Sequence, residues 1–111
     1  MEPICAINRE VGSGREIASI EIPRIGLGVW MMNGPNECKN AVINAISIGY
    51  RMIDTARSYG NEEEVGEAIR ESGIDRSEIT VVTKLRRIHA VSYESAIEHC
   101  GISLEKLGID K

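Results

Sequence analysis

Phenylalanine is absent from the 111 residues, tryptophan occurs once and tyrosine three times. Single-stranded nucleic acid is gripped by stacking its bases on several aromatic faces, so a chain this poor in rings offers no such platform. A surplus of basic charge is missing too. Lys and Arg number 13 against 17 Asp and Glu, a net charge of −4, with no Lys/Arg-rich run. Nothing therefore draws the chain electrostatically to nucleic acid or to an anionic membrane surface. The cysteines, Cys5, Cys38 and Cys100, are odd in number and lack metal-ligand spacing. Neither a disulfide framework nor a metal site is expected, and a reducing compartment is. No apolar run approaches the ~18 residues of a membrane span. The opening Met1-Glu2-Pro3-Ile4-Cys5 lacks the basic and apolar regions of a secretory signal, so a cytoplasmic location is expected.

What is present is an ordinary globular composition, 42% hydrophobic and 27% charged, at a length that suits one domain of the common ~100–150 residues. After residue 24 the chain repeats one grammar: short apolar run, loop, amphipathic helix, glycine. The first run is Ile25-Gly26-Leu27-Gly28-Val29-Trp30. Breakers follow at Asn33-Gly34-Pro35-Asn36, with Pro35 suited to a first helical position. Cys38, Ala41, Val42, Ala45 and Ile46 then share one helical face. Gly49 followed by Tyr50 reads as a left-handed helix end with a hydrophobic contact behind it.

The second unit has the strand Tyr50–Asp54 and then Asn61, a good N-cap. Glu62, Glu63 and Glu64 complement the positive helix end, and Glu64 can close a capping box with Asn61. Val65, Ala68 and Ile69 form the stripe, and Gly73-Ile74 the end. The third strand, Ile79–Lys84, is apolar on both faces, as a parallel strand covered on both sides requires. Its helix starts at the N-cap Ser92, carries Tyr93, Ala96, Ile97, Cys100, Leu104 and Leu107 along one side, and ends at Gly108-Ile109. Gly101 inside it costs roughly 1 kcal/mol relative to alanine. Three consecutive β–α units predict a parallel sheet with right-handed crossovers. Ahead of them, apolar residues flank Gly12-Ser13-Gly14, which predicts a β-hairpin over residues 1–23.

Functional side chains of parallel α/β folds gather beyond the carboxyl ends of the strands. Trp30, Asp54, Tyr59 and Lys84 all fall there. Singly, each has a plain explanation: Trp30 as a packing residue, Asp54 as a turn acceptor, Tyr59-Gly60-Asn61 as a turn, Lys84 as a solvated strand end. Together they suggest more. An aspartate and a lysine on adjacent strands, roughly 4.8 Å apart, can pair. A tyrosine held against that lysine feels a charge that favours its ionised form. Such a phenol can protonate a carbonyl oxygen that is becoming an alkoxide.

These residues sit in longer motifs. Ile22-Pro23-Arg24-Ile25-Gly26-Leu27-Gly28-Val29-Trp30, Gly49-Tyr50-Arg51-Met52-Ile53-Asp54-Thr55-Ala56, Tyr59-Gly60-Asn61-Glu62 with Val65-Gly66, and Thr83-Lys84-Leu85 resemble the N-terminal part of the aldo-keto reductases in residues, order and spacing. Ser103-Leu104-Glu105-Lys106-Leu107-Gly108-Ile109-Asp110 is similar to the stretch before that family's fourth barrel strand. The resemblance implies an α/β fold, a (β/α)8 TIM barrel, that uses NADPH or less often NADH to reduce small aldehydes and ketones to alcohols. By position it makes Tyr59 the proton donor, Lys84 the cation that tunes it, and Asp54 the carboxylate that holds the lysine beside the cofactor ribose. Gly28 and Val29 fall in the loop that approaches the nicotinamide, and Trp30 becomes a wall of the substrate pocket. Val29 stands where the family often has threonine, and Arg86 where it often has tryptophan; both bear on pocket shape.

A typical barrel takes ~250 residues and eight strands, so residues 1–111 are expected to be a partial, truncated barrel with an N-terminal hairpin over residues 1–23. The family's catalytic histidine and its grips on the nicotinamide amide, pyrophosphate and 2′-phosphate are expected beyond Lys111. His89, in the loop after strand three, and His99, on the third helix, do not match that histidine and are expected to be solvent-facing or partly packed. By itself the chain is expected to turn over no substrate and, with two open sheet edges, to expose apolar surface. The sequence carries no signal for an oligomeric state. The alternative is a small non-catalytic α/β module that associates with itself or with an intact reductase. A doubly wound dinucleotide-binding domain fits less well, because Gly26-Leu27-Gly28 runs into Val29-Trp30-Met31 without the third glycine.

Overall fold

The computed structural model describes residues 3–11 and 16–110, with side chains from residue 21 onward. Strands β1 (Pro3–Val11) and β2 (Glu16–Pro23) form an antiparallel pair with Val11 opposite Glu16 and Pro3 opposite Pro23. This is the expected hairpin; the glycines expected in its turn lie outside the described residues. Three β–α units follow. Strands β3 (Leu27–Gly28), β4 (Met52–Asp54) and β5 (Thr80–Val82) make one parallel sheet in that order. Helices α1 (Glu37–Ser47), α2 (Glu62–Glu71) and α3 (Tyr93–Leu107) follow them in turn.

The strands are shorter than their apolar runs. Single backbone bonds extend the pairing at both ends, from Val29 N to Asp54 O (3.2 Å), Thr55 N to Val82 O (2.7 Å) and Thr80 N to Arg51 O (2.8 Å). Thr80, Val81 and Val82 are only half-buried, which corrects the expectation that the third strand is covered on both faces. Three strands cannot close on themselves, so β5 is covered on its helix side alone among the described residues.

Sequence signals at the helix ends behave unequally. Gly49 (φ 114°) ends α1 with bonds from Gly49 N to Ile46 O and from Tyr50 N to Ala45 O, the paired pattern that satisfies orphan carbonyls. Gly108 and Ile109 end α3 in the same way, bonding Glu105 O and Leu104 O. Ser92 caps α3 by accepting from Ser95 N at 3.1 Å. Pro35, however, is not in the first helical turn. It lies in a turn closed by Glu37 N to Gly34 O, and α1 starts after Asn36, which takes a left-handed conformation (φ 57°).

The core lies between the sheet and its helices. Val29, just after β3, and Ile53 of β4 meet Cys38, Val42 and Ile46 of α1 and Val65, Ala68 and Ile69 of α2, all almost fully buried. Contact between α2 and α3 depends on Gly66: a Cβ there would come within 2.0 Å of the Leu107 carbonyl oxygen. This close approach buries Leu107 and Ser103 and engages only the last turns of α3. The expected α3 stripe is therefore half wrong. Tyr93, Ile97 and Cys100 are exposed, because no layer among the described residues lies over the first half of the helix. Gly101 touches nothing within 4 Å of where a Cβ would sit, so close packing does not explain it.

Candidate functional site

Parallel register brings Gly28, Asp54 and Val82 level at the carboxyl end of the sheet. The chain beyond each strand then supplies the expected side chains. Lys84 follows β5 by two residues and reaches across to β4, where its Nζ donates to Asp54 Oδ1 and to the Thr55 carbonyl (2.9 Å). Tyr59 ends the 3-10 turn Arg57–Tyr59, which Gly60 stops by turning left-handed (φ 72°). That turn is pinned to the chain just beyond β5 by a bond from Arg57 N to Lys84 O (3.0 Å). The result sets Lys84 Nζ 5.3 Å from the centre of the Tyr59 ring, within cation–π range.

Asp54 and Lys84 are about half exposed (44% and 48% of their side-chain surface), so the pair faces the mouth of the sheet and is not sealed in the core. Partial burial pulls the Lys84 pKa down. The hydrogen bond and charge of Asp54, together with the Tyr59 phenol, more than offset this, so it lies above the ordinary lysine value. Lys84 is thus a fixed cation at neutral pH.

The first loop differs from its expected role in detail. Trp30 is 70% exposed beside Met31, whose φ of 64° sharpens the turn, so its ring is free of the core. Gly28 leaves open space where a Cβ would be. Val29 points the other way. Its side chain is fully buried, its N–H donates to Asp54 O, and its carbonyl accepts from Met32 N and from Asn61 Nδ2. Both polar backbone groups of Val29 are satisfied by protein, which leaves Gly28 as the approachable position of this loop.

Sequence reasoning missed the polar layer beneath. Asn61 sits at the α2 N-cap, yet its side chain makes no capping bond there, and no capping box with Glu64 forms. Its backbone (φ −125°, ψ 16°) lies outside the extended region that aims an N-cap side chain at the helix,. Instead Asn61 Oδ1 accepts from Thr55 Oγ1 (2.8 Å) and Asn61 Nδ2 donates to Val29 O (2.9 Å). Glu64 Oε1 accepts from Lys39 N of α1 (3.4 Å). Glu62 is 2% exposed and accepts from Thr83 Oγ1 (2.7 Å) and Ser103 Oγ (3.3 Å). Two adjacent residues thereby tie all three strand-end loops to α2 and α3. The available signal was the Asn-Glu pair directly after Tyr59-Gly60, which reads equally well as a cap and a helix-dipole complement.

His89 and His99 are partly packed, as expected, and their rings stack with centroids 4.0 Å apart. Cys38 is fully buried, and burial, with Glu64 and Glu37 nearby, pushes its thiol up to about 11. Among the described residues no three His, Cys, Asp or Glu side chains gather as a metal site.

Comparison with known proteins points the same way as the geometry. The family model described as "Aldo/keto reductase family" matches residues 24–111. Morphine 6-dehydrogenase of Pseudomonas putida is 48% identical over 91 residues, 82% of this chain and 30% of that protein. Glycerol 2-dehydrogenase (NADP(+)) of Saccharomyces cerevisiae is 46% identical over 90 residues, 81% of this chain and 28% of that protein. Among solved structures, an aldo-keto reductase from a Medee basin deep-sea metagenome library superposes with a TM-score of 0.77 at 49% identity, over 82% of this chain and 33% of that one. The Bombyx mori aldo-keto reductase in complex with NADP gives 0.76 at 33% identity, over 96% of this chain and 36% of that one. The chain thus spans about a third of the length of these proteins.

Proposed function

The chain belongs to the aldo/keto reductase family, and from that premise we propose that it forms the proton-donating part of an NADPH-dependent carbonyl reductase. Tyr59 is the acid. As a carbonyl carbon accepts hydride, negative charge builds on its oxygen, and the Tyr59 hydroxyl gives that oxygen its proton to complete the alcohol. The phenolate left behind is stabilised by the Lys84 ammonium and regains its proton from solvent at the open mouth. Asp54 keeps the ammonium under the ring. The observation that carries this reading is the Lys84–Asp54 ion pair lying beneath Tyr59, three residues from three different segments that the register of one sheet brings together.

A reduced nicotinamide cofactor, NADPH or NADH, supplies the hydride when bound. The residues fit such a group in two respects. Gly28 leaves backbone open at the mouth, with Val29 buried behind it as an anchor, and the half-exposed Asp54 carboxylate lies level with Gly28 as a ribose acceptor. Trp30 presents an apolar ring to a small aldehyde or ketone. Residues 1–111 form one partial reductase barrel in this reading, with the β1–β2 hairpin in its first 23 residues.

The test is Tyr59→Phe in a barrel that carries this segment. Aldehyde reduction falls by about 10²–10⁴-fold, the usual worth of a positioned proton donor, while NADPH binding followed by fluorescence persists. Turnover at the unsubstituted level would refute the assignment. The 111-residue chain by itself is expected to show no NADPH-dependent reduction of a simple aromatic aldehyde, because His89 lies in a 3-10 turn and His99 on α3, not at a strand end.

A further inference from the structure

One polar cluster outside the site remains unaccounted for. Arg57 opens the same 3-10 turn that Tyr59 ends. Its backbone N–H holds the Lys84 carbonyl, while its side chain leaves the site and crosses to α3. There Arg57 Nη1 lies 3.4 Å from His99 Nδ1 and 3.4 Å from the His99 carbonyl oxygen. Stacked on the His99 ring is His89, from the 3-10 turn Arg87–His89, 16° from parallel at 4.0 Å. That second turn is itself fastened to α3 by Ser95 Oγ donating to the His89 carbonyl (2.7 Å). His89 Nδ1 is buried with no hydrogen-bond partner among the described residues.

We propose that Arg57 is a positioning residue for Tyr59, held by the His99 carbonyl and by the stacked imidazoles of His99 and His89, and that this hold weakens when the stack takes up a proton. An arginine can only donate, so the Arg57–His99 contact needs a lone pair on Nδ1, which a neutral ring with its proton on Nε2 provides. Charging either ring puts a cation against the guanidinium and against its stacked neighbour. The charged or titratable groups bearing on His89 are His99 from α3, Arg57 from the Tyr59 turn and the adjacent Arg86. All are basic. Burial first, and then these cations, hold His89 below the ordinary histidine value. The sign follows: native His89 takes up its proton less readily than the unfolded chain, so the latch holds above the ordinary range and weakens as pH falls through it. Acidification thereby frees the turn whose other end is Tyr59.

The effect on turnover rests on the reading of Tyr59 as proton donor; the structural coupling does not. The full 111-residue chain, followed by NMR from pH 8 to 5, tests the coupling. The Tyr59 ring resonances are expected to move with the His89 titration, which lies below the ordinary histidine range. In Arg57→Ala they no longer follow it. Tyr59 signals that stay flat through the histidine titration, or follow it equally well in Arg57→Ala, would overturn the proposal. In a barrel that carries this segment, kcat for aldehyde reduction is expected to fall threefold or more from pH 7.5 to the acid side of the His89 titration, with KM little changed. The double variant His89→Phe/His99→Gln, which keeps a flat ring and an acceptor beside Arg57 but no group there that can be charged, keeps the pH 7.5 rate and loses that fall. An identical fall in both proteins contradicts the latch. Absence of any reduction at pH 7.5 in the unsubstituted barrel refutes the Tyr59 reading instead, and the NMR titration then decides the latch alone.

Discussion

Two polar groups of residues meet at the carboxyl end of the sheet and differ in every physical respect. The upper one, Asp54, Lys84 and Tyr59, is half open to solvent and built around an ion pair. The lower one, Thr55, Asn61, Glu62 and Ser103 with the half-buried Thr83, is nearly all inaccessible and built from directional hydrogen bonds. Exposed ion pairs contribute little to stability, whereas a buried polar group left without a partner costs about 1–3 kcal/mol. The upper set can therefore be chosen for chemistry, and the lower set fixes where it stands. Glu62 reaches the residue before Lys84, and Asn61 reaches the residue after Asp54 and the residue after Gly28. A site whose members are loosely exposed is held by neighbours that are not.

Substitutions should separate the two sets. The largest effect belongs to the upper one: Tyr59→Phe in a barrel that carries this segment leaves the denaturation midpoint almost unmoved while turnover falls by about two to four orders of magnitude. Next comes the lower set. Glu62→Ala strands Thr83 and Ser103 and should lower unfolding stability by about 2–3 kcal/mol, read by urea denaturation. Glu62→Gln, which still offers one acceptor, should cost less, and an equal loss in both would show that charge and not bonding matters there. Asn61→Ala releases Thr55 and the Val29 carbonyl and should cost about 1–3 kcal/mol.

The smallest effect concerns Cys38, buried in the hydrophobic core on α1. Its thiol, at about 11, stays protonated at pH 8.5, so alkylation mapped by peptide mass spectrometry should label it at least ten times more slowly than exposed Cys100. A native thiol that keeps its proton longer than the unfolded one makes stability decline as pH rises from about 9 through 11. Equal labelling of the two thiols in the folded chain would contradict its burial.

Much of this was legible in the sequence, and what was not has a common cause. Glycines that end helices, at 49 and 108, and the Ser92 cap are local devices: they need only their own few residues. Asp54, Tyr59 and Lys84 were legible because parallel register is fixed by strand order, and strand ends were marked by loop residues. Asn61 and Glu62 were misread because their chemistry is indifferent to direction. A short polar side chain at a helix start can turn to its own helix or away from it, and the neighbouring strand ends decide. The exposed half of α3 was misread for a similar reason: Tyr93, Ile97 and Cys100 have the spacing of a buried face, but the period of a stripe does not state whether anything lies opposite. Pro35 shows the same limit at short range, since its ring suits a turn two residues ahead of a helix as well as the first helical position.

The central claim is that Lys84 acts through Tyr59 and not beside it. A double-mutant cycle of Tyr59→Phe and Lys84→Met, measured as kcat for aldehyde reduction in a barrel that carries this segment, addresses it directly. If the cation serves the phenol, removing it after the hydroxyl is gone costs nothing more, and the double variant matches Tyr59→Phe within about threefold, as residues acting as one unit do. Losses that multiply in the double variant would mean two independent contributions and would contradict the claim.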